Sequence, residues 1–207
     1  MNYNQIGIML LQGFLVAFVI LLLFRLRKKL GIGALFACLG LFQFVQVFLS
    51  STFYVLIADD FLVSPGTVVL FTSTLFAVLI IYIKEDASET RKIIYALFIV
   101  NIVMSILLST FSWHFNETSS HDLLKVSTTL FDVSSWVLFV GTIALVLDSL
   151  LIIVIFEFIS KKIRFQFFQI CITMLIVVVF DTLFFSFLAF WNFEKLYTIL
   201  ISSLVSK

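Results

Sequence analysis

Long apolar runs separated by short polar breaks dominate the chain. Seven can be traced, at about 5–24, 32–57, 63–83, 93–113, 130–159, 165–192 and from 197 to the end. The hydrocarbon core of a bilayer is about 30 Å thick and takes roughly 20 helical residues to cross. The first six runs are therefore long enough to span it. The seventh, from 197 to Lys207, covers about half, so either that helix is partly inserted or the sequence stops inside it. The runs lack the short alternation of membrane β-strands, and one Pro and seven Gly in 207 residues suit long unbroken helices. The pattern predicts a single all-α domain over residues 1–207, a polytopic transmembrane helix bundle of six full spans plus a short or truncated seventh.

Composition agrees with this. At 62% hydrophobic and 12% charged residues, with mean hydropathy +1.22, the chain is too apolar for a soluble domain. The net charge of +1 hides a marked arrangement. Arg25, Arg27, Lys28 and Lys29 follow the first run, Lys84, Arg91 and Lys92 the third, and Lys161, Lys162 and Arg164 the fifth; the other loops hold only Lys125 and Lys195. Cytoplasmic loops collect Lys and Arg. Ten against two puts the N-terminus outside, the three basic loops inside, and Asp59, Asp60 and the 114–125 loop outside, in a multi-pass inner-membrane protein. The first run has no preceding cation or small-residue cleavage site, so it reads as a retained span and not a signal peptide.

Local features change little. Ser64-Pro65-Gly66 marks the turn into the third span, and Lys84 to Lys92 reads as a short mixed-charge linker, a solvated loop, with Ser88, Arg91 and Lys92 opening the fourth helix as the alternative. Asn116-Glu117-Thr118 matches a glycosylation acceptor, relevant only in a eukaryotic secretory pathway. His114, His121 and Asp122 share that polar loop and read as solvated residues rather than metal ligands. Cys38 and Cys171 sit inside apolar runs as free thiols. No Gly-rich phosphate loop, zinc-ligand spacing or Ser/His/Asp grouping occurs, so no enzyme chemistry, cofactor or metal is expected.

Polar residues inside the spans carry more. Asp148 and Asp181 each lie within an apolar run, where a carboxylate costs about 2.5–3.5 kcal/mol at the bilayer centre on insertion scales. No Lys or Arg separates Lys125 from Lys161 or Arg164 from Lys195. The two carboxyls must be protonated, hydrogen-bonded to Ser, Thr or Gln, or matched by a solute or cation. Measured from the basic turn between them, they lie about 20 and 26 Å deep at 1.5 Å per residue, near enough to share a polar site with pH-dependent binding. Gln43 and Gln46 share a face of the second span, and Asn101, Ser105 and Ser109 a face of the fourth. Such groups either bond helix to helix or line a solute cavity with Thr142, Ser149, Thr182 and the aspartates. Most of the 27 Phe suit lipid contact or packing; Phe185, Phe187, Phe190 and Trp191 could stack on a flat ring, and Trp191 equally suits an interfacial anchor.

The stretch Asp181, Thr182, Phe185, Phe187, Ala189, Phe190 and Trp191 resembles the VUT family of vitamin-uptake or queuosine-precursor transporters, in which a helix with Asp-Thr, several Phe and Ala-Phe-Trp is typical. Gln46-Val47, Arg91-Lys92 and Leu147-Asp148 match further family positions, and the order of spans agrees along the chain. Three positions depart from the family pattern. Leu79 and Ile83 stand where an Asp and a Glu are usual, Asp132 is the only charge where a basic residue opens the fifth span, and Val177-Val178 replaces a Gly-Asn pair. The resemblance implies a divergent transporter that binds a small purine-like solute between helices through Gln43, Gln46, Asn101, Asp148, Asp181, Thr182 and Phe185. Residues 63–92 are also similar to N-terminal membrane regions of bacterial histidine kinases and diguanylate cyclases, which implies a sensory input module with its output domain beyond Lys207. The partners expected are the lipid bilayer, a small-molecule solute, and either a homodimer mate or a fused cytoplasmic signalling domain, with no nucleic acid.

Overall fold

A computed structural model describes residues 3–58, 61–116 and 135–189, with four further residues at 200, 201, 203 and 204. Six helices within it are long and apolar enough to cross a membrane. They are α1 (Tyr3–Leu30), α2 (Gly33–Thr52), α3 (Thr72–Lys84, entered through a π-helical turn at Gly66–Phe71), α4 (Ala87–Asn116), α5 (Ser135–Ser160) and α6 (Gln166–Ala189). The expected all-α bundle is present. Most of the short seventh run, with Lys195, Phe190 and Trp191, lies outside the described residues, as do Asp59, Asp60, Glu117–Thr118 of the sequon, His121, Asp122, Lys125 and Asp132.

Two boundaries differ from the apolar pattern. The second run was expected to stay helical to 57, but α2 ends at Thr52, and Val55–Ala58 pairs antiparallel with Phe61–Val63 as a small hairpin (β1, β2). The β-branched pair Val55 and Val63 faces across its ladder, a setting such side chains favour. The linker expected as a solvated loop is helical from Ala87 onward, one residue before Ser88. The backbone N–H of Glu89 donates to Asp86 Oδ1 at 2.8 Å, so Asp86 rather than Ser88 takes the capping role. Between α1 and α2 the chain turns at Gly31, whose φ of +77° is one that side-chain-bearing residues rarely adopt.

Helix α3 is the hub. It packs against α1, α2, α4, α5 and α6, and Leu75, Ala77, Val78, Leu79 and Ile81 are buried. Leu79, where the resembled family carries an acid, belongs to this apolar core. By contrast α1 buries only Val16, Ile20 and Phe24, at four-residue spacing, among its described hydrophobic side chains, while Phe14 is 73% exposed. Along α4, Thr90, Ile94, Leu97, Asn101, Met104 and Leu108 are buried at alternating steps of four and three, with Ile93 buried beside them, so one stripe faces the bundle. Tyr95, Ile99, Val103 and Ile106 cover its outer side. Outer faces built of large apolar side chains are unfavourable in water and favourable in lipid.

The basic ends meet at one face. Arg27 pairs with Glu85 beyond α3, and the Tyr82 hydroxyl donates to Glu157 on α5. Arg27 also stacks over Phe24, 4.0 Å from the ring centroid, and Lys162 over Phe158 at 4.5 Å. These contacts hold the ends of α1, α3 and α5, with all three basic loops, at the same level of the bundle.

Candidate functional site

Polar side chains gather in two places. The first lies between α2, the π-helical turn and α4. Gln43, Gln46 and Asn101 are 2%, 9% and 3% exposed, and Gln43 Nε2 donates to Asn101 Oδ1 at 3.2 Å. The sequence marked each face separately, and the fold joins them by packing α2 against α4, with Gly40 and Val100 in contact one turn earlier. Gln43 Oε1 and Gln46 Oε1 are buried with no hydrogen-bond partner among the described residues. The π-helical turn closes on the backbone just beyond them. Ser64 Oγ donates to Leu49 O at 3.2 Å, and Gly66 sits so near Gln46 that a Cβ would fall 2.6 Å from its carbonyl oxygen. Single π-type turns within helices are frequent at functional sites.

The second place is the α5–α6 interface, with α3 against both helices. Asp148 and Asp181 are 0% and 4% exposed, and Ser149, Thr182 and Ser186 are buried with them. Phe185, half-buried, meets Gly141: a Cβ on that glycine would lie 3.6 Å from Phe185 Cε2. That contact puts Phe185 and Gly141 side by side, to within about one helical turn, on the antiparallel pair. Asp148 is seven residues from Gly141 and Asp181 four from Phe185, both toward the 161–164 turn, so at 1.5 Å per residue their depths differ by about 4–5 Å. The near-equal depth expected from residue counting therefore holds.

Other expected contributors take different roles. Ser105, Ser109, Thr142, Ser149 and Thr182 each donate to the carbonyl four residues earlier in their own helix, at 2.7–2.9 Å. Their hydroxyls are satisfied locally and need no neighbouring helix. Phe187 points outward, and Phe184 stacks on Phe180 with centroids 5.6 Å apart. The sequence reading missed Thr173, fully buried on α6 with Oγ1 lacking a hydrogen-bond partner among the described residues; a lone Thr in an apolar run gives no warning of that. The π-helical turn was also missed, because Gly66 was legible only as part of a turn. No group of three or more metal-binding side chains occurs among the described residues.

With amides on one side of the hub helix and carboxyls on another, the interior can hydrogen-bond a small polar molecule without offering it a cation. A family model described as vitamin uptake-like sensor matches residues 17–207. No curated protein and no solved structure matches the chain.

Proposed function

The chain belongs to the vitamin uptake-like sensor family, and from that premise we propose that it is a membrane-embedded sensory domain that binds a small solute between its helices and passes the occupancy to a cytoplasmic signalling partner. The observation that carries this reading is the set of buried amide and carboxyl side chains, Gln43, Gln46, Asn101, Asp148 and Asp181, in a bundle whose apolar stretches hold no Lys or Arg. Polar groups at such depth are costly and mark ligand or ion sites by default. The absence of the acidic pair expected near Leu79 and Ile83 supports sensing over the uptake activity of the resembled transporters. Transport of a purine-like solute is the second reading, favoured by two carboxyls at nearly one depth on consecutive spans, an arrangement that suits proton relay.

A host unable to make queuosine precursors separates the two. Supplied with external precursor and expressing the chain, with membrane insertion verified, it is expected to remain without the modified tRNA; restoration would replace sensing with uptake. The proposed orientation has the basic face in the cytoplasm, supported by the shared level of the three basic loops. With Cys38 and Cys171 replaced, a cysteine at position 120 should react with an impermeant thiol reagent in intact cells and one at position 88 should not. The opposite labelling would invert the topology.

A further inference from the structure

The face that α2 turns toward α4 has surplus acceptors, and that imbalance defines the chemistry of what it can hold. Gln43 and Gln46 stand three residues apart, so their Cβ atoms lie about 5–6 Å apart on one side of the helix. Both side chains are more than nine-tenths buried. Gln43 uses an N–H on Asn101 Oδ1, yet the oxygens of both amides are left without a hydrogen-bond partner among the described residues. Buried acceptors are nearly always satisfied in native structures, and two side by side call for two donors. An anion is a poor occupant, because amide oxygens repel it and no Lys or Arg occurs between Lys29 and Lys84 or between Lys92 and Lys125. A cation is disfavoured as well, since Asp148 and Asp181, the carboxyls buried in the spans, belong to α5 and α6 rather than to this face.

Resting on the proposal that the domain binds a solute, we infer that Gln43 and Gln46 recognise a neutral molecule that carries two N–H donors, of the cyclic urea class. The amides accept those N–H groups beside the π-helical turn at Gly66–Phe71, which presses on the backbone of Gln46.

The test uses the purified full chain in detergent and two probes of the same ring: imidazolidin-2-one, which carries two N–H groups, and its 1,3-dimethyl derivative, which carries none. Titrated to saturation, the first is expected to raise the melting temperature by about 2–4 °C and the second to leave it unchanged. Gln46→Leu removes an acceptor that has no protein partner, so it should melt within about 2 °C of the wild type while losing the response. The paired change Gln43→Leu with Asn101→Leu, which removes both ends of their bond, should lose it too. Equal shifts from both probes, no shift from either, or a shift kept in these variants would overturn the inference. Binding of an anionic or donorless solute would overturn it while leaving the sensory reading intact; failure to bind any solute removes that reading itself.

Discussion

Gly66→Val is expected to destabilise the protein by about 2 kcal/mol, roughly 4–8 °C in melting temperature for a chain of this size. A Cβ at this position would lie 2.6 Å from Gln46 O, 2.9 Å from Ser50 N and 3.1 Å from Leu49 Cβ. The first two are backbone atoms of α2 and cannot swing aside, so the π-helical turn must lift from the helix. Gly40→Ala is the control, since its Cβ would meet only Val100 methyls at 3.6 and 3.9 Å, ordinary contact, and it should melt with the wild type. The two melting curves decide the matter. If Gly66→Val matched Gly40→Ala, the close approach of the turn to α2 would be wrong.

Asp181→Asn is the second large effect, on binding rather than folding. Asn keeps the volume and one oxygen but replaces the other by a donor, so a solute that uses both oxygens loses one bond and meets a mismatched N–H. A loss of about tenfold in affinity, roughly 1.4 kcal/mol, is expected, with a melting temperature close to wild type. Asp181→Ala instead removes the side chain from a site only 4% exposed and should lower both. If Asp181 merely ties its helix to the bundle, Asp181→Asn would leave affinity intact, and the alanine variant would lose stability alone.

How much of this could be read from the residues follows the range of the interactions. Six helices and a shared basic face were legible, because twenty-residue apolar runs and Lys/Arg placement are local signals. The depths of Asp148 and Asp181 were legible too, since counting from a tight turn is arithmetic on a regular helix. What α3 and α1 do was not. Both are strongly apolar, yet one is the hub and the other the least buried span, and lipid and protein interior ask for the same side chains. The hairpin hid because Val55–Ala58 simply continues the apolar run of α2. Asp86 was passed over for Ser88, although Asp86 and Glu89 have capping-box spacing. Gln43 and Asn101 are 58 residues apart, and nothing local to either announces the bond between them. The hydroxyls of Ser105, Ser109 and Thr182 could be read as contacts between helices or as bonds within one, and their spacing does not distinguish these.

The most direct measurement is of what the protein carries. The full chain, purified in mild detergent from cells grown on rich medium, is denatured and the released small molecules are identified and quantified by mass spectrometry against the Asp181→Asn and Gln46→Leu variants. A neutral solute with N–H donors, released from the wild type in near-stoichiometric amount and depleted about tenfold or more in the Gln46→Leu variant, is the predicted result. A wild type that releases no solute, or variants that release as much of it as the wild type, would contradict a ligand site in the interior of the bundle.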